Sequence, residues 1–190
     1  MAIDRKQNII DAATKSFSLF GYKATTIEQV AKLANVGKGT IYTFFKSKED
    51  LLDEIISSVI VEIKETAEHA MDPDRPFLEN AHRALYRIAE FRKQHPLTIK
   101  LLQEIRDIGT PAVQEVMKRL DRAIIAFIRE KIDNAIKKGE IRNCDSEITA
   151  FLMLKMYIAL NFDWEKEHEP LPKEKITELF ELYFLKGLSK

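Results

Sequence analysis

Residues 25–48, TTIEQVAKLANVGKGTIYTFFKSK, constrain this chain more than any other stretch. Ile27, Val30, Ala31 and Ala34 recur at i, i+3, i+4 and i+7, the spacing of one apolar helix face. Thr25 and Glu28 stand three apart, the pattern of a capping box that starts a helix. Asn35 tolerates the left-handed backbone that a tight turn after a helix demands. Val36 puts an apolar side chain into that turn, Gly37 caps a second short helix, and Ile41 and Phe45, four apart, face inward. Lys38, Gly39, Thr40, Tyr42, Thr43 and Phe44 are left on its outer surfaces, and Ser47 with Asp50 offers the next capping box. Two short helices joined by such a turn make a helix-turn-helix, which lays its second helix in the major groove of DNA.

The outward residues suit that partner. Phosphates are met by lysines, hydroxyls and helix N-termini, and base edges by donors, acceptors and small apolar groups. Lys38, Tyr42 and Lys48 are placed to reach phosphates, and Thr26 adds a hydroxyl from the first helix. Gly39 lets the backbone approach closely, and Thr43 suits a base edge or a thymine methyl. Thr40 and Lys46 complete the expected double-stranded DNA contacts. Charge is distributed accordingly. Residues 1–48 carry eight Lys and Arg against three Asp and Glu, a net +5, whereas residues 49–190 carry 22 against 27, a net −5. The neutral whole conceals a basic head that supplies the phosphate attraction locally.

The stretch from Ile9 to Leu52, IIDAATKSFSLFGYKATTIEQVAKLANVGKGTIYTFFKSKEDLL, resembles without gaps the N-terminal domain of the TetR family of bacterial transcriptional regulators. The resemblance covers about a quarter of the chain. It implies an all-α homodimer, with an N-terminal three-helix DNA-binding domain and a C-terminal helical domain for ligand binding and dimerisation. It also implies that Lys38, Tyr42 and Lys48 sit where the family contacts DNA. The family's usual output, repression at a palindromic operator relieved by a small effector, is expected on the same ground. Asn35 stands where the family often has glycine, and Gly37 where it often has a hydroxyl cap. Thr43 and Phe44 replace frequent tyrosine and histidine, which leaves the operator sequence open.

Helical spacing dominates the remainder, and punctuation predicts about nine helices. The first runs from Asp4 to Phe20 with Ile9, Ile10, Ala13, Phe17 and Phe20 inward, stopped by Gly21. The fourth runs from Lys48 to Ala70, and MDPDRP ends it. Others fit Phe77–Lys93, Leu97–Ile108, Thr110–Lys138, a start at Asp145 or Ser146, and Lys173–Leu188. The boundary between head (1–48) and body (49–190) falls at the start of the fourth helix, so a ligand shifting that helix's far end would tilt the head. One cysteine, Cys144, forms no internal disulfide. No signal peptide is evident, and no run approaches the about 18 apolar residues that span a bilayer. A cytoplasmic location is expected, with no membrane partner.

Large apolar residues in the body are candidates for a pocket that takes a small hydrophobic effector: Tyr86, Phe91, Leu102, Ile105, Phe127, Met153 and Tyr157, with Arg106 to orient it. Phe151, Lys155, Leu179, Phe180, Tyr183 and Phe184 lie on the last two helices, whose apolar band is too wide for one-sided burial and suits a four-helix dimer interface. Two other readings compete. The acidic body docks a protein instead of a small molecule, or Glu79 with His82 and Glu165 with His168 form a helical-bundle metal centre. His168 stands two residues before Pro170 in the charged run EKEHEP, at a helix end, which counts against a metal enzyme. No catalytic spacing and no cofactor motif is present.

Overall fold

The computed structural model describes residues 2–188, and the side chains of all of these except 2–4 and 92–94. Every regular element among them is helical. The order is α1 (Ala2–Phe20), α2 (Ile27–Leu33), α3 (Lys38–Phe44), α4 (Lys48–Ala70), α5 (Phe77–Gln94), α6 (Pro96–Asp107), α7 (Pro111–Lys137), α8 (Ser146–Ile158) and α9 (Lys173–Phe180). α8 runs on through a π turn (Ala159–Asp163) and a 3-10 turn (Trp164–Lys166). α9 runs on through a second π turn (Glu181–Leu185) and a final α turn (Lys186–Leu188).

Residues with positive φ end four of these helices, Gly109 (φ +72°) among them after α6. Gly21 (φ +84°) stops α1 and Gly139 (φ +69°) stops α7. Asn35 is the one non-glycine among the described residues with positive φ, at 52°. There the Val36 N–H donates to the Ala31 carbonyl (3.0 Å) and the Asn35 N–H to the Lys32 carbonyl (3.3 Å), a Schellman closure of α2. The cap at the front of α2 is one residue later than the sequence suggests. Thr26, not Thr25, accepts the Gln29 N–H (3.3 Å), while Gln29 Oε1 accepts the Thr26 N–H (2.8 Å). Thr25 is unavailable because it is buried, with its hydroxyl donating to the Gly21 carbonyl (2.8 Å) and lying 3.2 Å from Ser16 Oγ.

The chain forms two compact units, residues 1–60 with 95–120 and residues 61–94 with 121–190. The expected head, 1–48, lies inside the first unit. That unit is larger because it also takes the start of α4, all of α6 and the start of α7. Its fully buried large side chains include Ile9, Phe17, Val30, Ile41, Leu51, Leu52, Ile56, Leu101 and Val113. Phe20, expected inward, is exposed. Gly21 folds the chain back so that Tyr22 packs on Phe17 instead, with ring centroids 5.4 Å apart.

The second unit is built on Phe77, Ile132, Ala135, Ile141, Ala150 and Leu188. Met153 and Phe184 pack against this cluster. Asp145 caps α8 by accepting the Ile148 N–H (2.9 Å). No helix among the described residues is long and apolar enough to cross a membrane.

Candidate nucleic-acid interface

α3 is held by its inner face and leaves its outer face to solvent. Ile41 and Phe45 are buried, whereas Lys38, Gly39, Tyr42, Thr43 and Lys46 are exposed and Thr40 and Phe44 half-buried. Thr26 is exposed beside the start of α2. A Cβ placed on Gly39 would meet no atom within 4 Å, so nothing inside the protein requires glycine there. The Thr43 hydroxyl donates to the Thr40 carbonyl (2.7 Å), which leaves its oxygen as an acceptor facing outward. Gly37 caps α3 without any side-chain hydrogen bond.

Two lysines do more than the sequence suggested. The Lys38 ammonium is paired with Glu28 of α2 and lies 5.9 Å from the Tyr42 ring centroid. The hydrogen bond between them raises the Lys38 pKa and lowers that of Glu28. Lys48 is half-buried, with its ammonium donating to the carbonyls of Tyr22 and Thr25 (2.9 Å each) and lying 4.2 Å from the Tyr22 ring centroid. It therefore ties the turn between α1 and α2 to the start of α4. No local spacing announces a contact between positions 48 and 22.

Sequence reasoning also missed Glu104. This α6 carboxylate is buried and accepts the Lys23 N–H with both oxygens, at 3.0 and 3.2 Å. Gly21 makes room for it: a Cβ there would lie 2.7 Å from Glu104 Oε2. At the front of α4, Ser47 Oγ accepts the Asp50 N–H (3.1 Å) and Asp50 accepts the Lys46 N–H (3.0 Å). Side-chain bonds to backbone thus secure the α1–α2 and α3–α4 turns, and backbone bonds close the α2–α3 turn.

The expected pocket residues are drawn from both units. Leu102, Ile105 and Arg106 belong to the first unit, and Arg106 is exposed and paired with Asp107. Tyr86, Phe91, Phe127, Met153 and Tyr157 belong to the second unit, all half-buried. Met153 serves the core there. Tyr86 donates to Glu174 (3.2 Å) and carries Lys173 over its ring, and the Tyr157 hydroxyl donates to the Ile88 carbonyl (3.4 Å). A cavity of about 350 Å³ opens in the second unit, but its walls, among them Arg75, Lys131, Lys138 and Glu140, include none of these residues.

The expected dimer residues divide as well. Phe151 and Tyr183 are exposed, with Tyr183 at 72%, and they are joined in exposure by Ile148, Leu152 and Leu182. Phe180 is buried at 2% and belongs to the protomer's own interior, not to an exposed band. The π turn at 181–185 explains the difference. It adds one residue to the helical repeat after Phe180, so the inward series runs Ile176, Phe180, Leu185, Leu188, and Leu182 and Tyr183 are left exposed. Lys155 and Leu179 are half-buried, and Lys155 pairs with Asp121 (2.7 Å). His168 stacks on Trp164 (centroids 4.0 Å apart), and no three His, Cys, Asp or Glu among the described residues converge as a metal site would require.

The description of bacterial regulatory proteins of the tetR family matches residues 9–55, the segment containing all of the helix-turn-helix. Over 189 residues the chain is 62% identical to the HTH-type transcriptional regulator YhgD of Bacillus subtilis, covering 100% of this chain and 99% of that one. The chain belongs to the TetR family of bacterial transcriptional regulators. Solved structures share the fold over most of its length. FadR of Bacillus subtilis, solved in complex with stearoyl-CoA, superposes with a TM-score of 0.76 at 18% identity, covering 91% of this chain and 96% of that one. The fatty acid degradation regulator FadR of Bacillus halodurans gives 0.77 at 16% identity, over 92% and 93%. As a TetR-family regulator the protein is a DNA-binding transcription factor and not an enzyme.

Proposed function

We propose that the protein is a cytoplasmic homodimeric repressor that holds a palindromic operator and releases it when a small hydrophobic effector binds its second unit. The observation that carries the DNA half is the outer face of α3. Lys38, Gly39, Tyr42, Thr43 and Lys46 are exposed, and Gly39 is open where a side chain would fit. Thr26 and Thr40 flank that face, and Lys48 keeps one ammonium N–H beyond its two carbonyl bonds for a phosphate.

Homodimerisation is supported by Ile148, Phe151, Leu152, Leu182 and Tyr183, large apolar groups left exposed in the protomer. A dimer places two recognition helices against successive major grooves, roughly 34–36 Å apart, and an effector that favours another separation lowers affinity by linkage. α4 and α7 each contribute residues to both units, which gives a shift in the second unit a continuous route to the first. Tyr86, Phe91, Phe127 and Tyr157 supply half-buried aromatic surface for the effector. Because FadR of B. subtilis holds stearoyl-CoA in a similar fold, a long-chain acyl-CoA is the first effector to try.

The test is binding to the DNA flanking the protein's own gene against random duplex across a salt series. A preference of roughly 10³-fold or more for one near-palindromic segment, reduced on addition of stearoyl-CoA, is the expected result. Sequence-blind binding would remove the operator reading, and a specific complex indifferent to acyl-CoA would remove that effector class.

A further inference from the structure

The contact between Glu28 and Lys38 lies on the face read above as the phosphate-binding surface, and the inference drawn from it rests on that reading. Lys38 is the first residue of α3, where the helix dipole already concentrates positive charge and a cation is unfavourable. Gly37 brings no side-chain cap, and the first turn of α3 has no acidic residue. Glu28, in the first turn of α2, supplies the anion from outside the helix. Both side chains are at least half exposed, so the pair has no role in the core. The Lys38 ammonium thus holds a carboxylate on the face where it is expected to meet a DNA phosphate.

We propose that Glu28 is a built-in placeholder for a DNA phosphate: it occupies Lys38 in the free protein and yields it when duplex arrives, so that its charge limits how tightly the protein holds DNA of any sequence. Once Lys38 turns to a phosphate, Glu28 is left next to the duplex, where like charges repel. Both effects oppose binding, and both are screened by salt. Glu28 thus acts through Lys38 as a positioning residue, and a neutral side chain of the same shape removes its influence.

Glu28→Gln is that change. It keeps the length of the side chain and its place in the first turn of α2. Glu28→Gln, Lys38→Met and the double variant are compared with the wild type on operator and random duplex across a salt series, with thermal midpoints as a check of fold. Glu28→Gln is expected to bind both duplexes about two- to fivefold more tightly at low salt, with the advantage shrinking as salt rises. In the Lys38→Met background the same substitution is expected to gain clearly less, because the partner is gone. Glu28→Ala, which shares no hydrogen-bonding amide with glutamine, is expected to move affinity in the same direction. Equal affinity of wild type and Glu28→Gln overturns the proposal, as does an undiminished gain without Lys38, which would mean that net charge alone acts. A wild type that binds neither duplex would overturn the DNA reading itself together with the proposal.

Discussion

A glycine inside a short helix lowers its stability, by about 0.5–1 kcal/mol relative to alanine, so an unforced one asks for a reason. At Gly21 the reason is internal, because φ is positive and a Cβ would strike Glu104. At Gly39 it is external. Helical backbone and open space both admit a side chain, and the proposed approach of α3 to a base edge or phosphate is what would exclude one. Gly39→Ala is therefore expected to leave the thermal midpoint unchanged or slightly raised. It should also weaken operator binding by about fivefold or more, the low end of what one extra methyl costs in a filled contact. Unfolding curves and operator titrations on the same preparation check both halves. If affinity is unchanged, α3 does not approach the duplex at Gly39.

Individual helices owe their ends to short-range chemistry, and the sequence was legible there. Gly21, Asn35 and Gly139 stop helices because their left-handed backbone is disfavoured for most side chains. Asp145 starts α8 by capping a nearby amide. These signals lie within a few residues of their effect. What was not legible joins positions far apart or alters phase. Lys48 bonds to the carbonyls of Tyr22 and Thr25, and Glu104 to the amide of Lys23, across 81 positions in the second case. The π turn at 181–185 adds one residue to the repeat after Phe180 and so makes Leu185 the next buried position and leaves Tyr183 exposed, which a constant 3.6-residue period cannot anticipate. The Glu104 bond is the contact by which α6 secures the turn in front of α2. Removing it in Glu104→Ala deprives the Lys23 amide of a charged acceptor and opens a small void, a loss of about 1.5–3 kcal/mol. A lower denaturant midpoint with an unchanged slope is the expected reading. An unchanged midpoint would mean that water replaces the carboxylate without penalty.

For the whole molecule, the decisive quantity is the number of recognition helices presented together. A single three-helix head has one short helix for one major groove, and its phosphate contacts alone give weak, sequence-blind binding. Two heads fixed by a dimer add their contacts on a palindrome and raise affinity by orders of magnitude through effective concentration. The residues proposed to hold that dimer are already out of the protomer's core, since Phe151 and Tyr183 are 46% and 72% exposed. Charges placed on them are therefore tolerated by the folded protomer and not by an apolar interface. Phe151→Glu combined with Tyr183→Glu is expected to keep the helical content and the cooperative unfolding of the wild type, to sediment as a monomer at micromolar concentration, and to lose at least roughly 100-fold in operator affinity while retaining most of its weak binding to random duplex. Loss of specific binding with an intact dimer would place the defect in the heads. An intact dimer with intact operator binding would show that these exposed groups meet solvent, and that the two protomers join through another face.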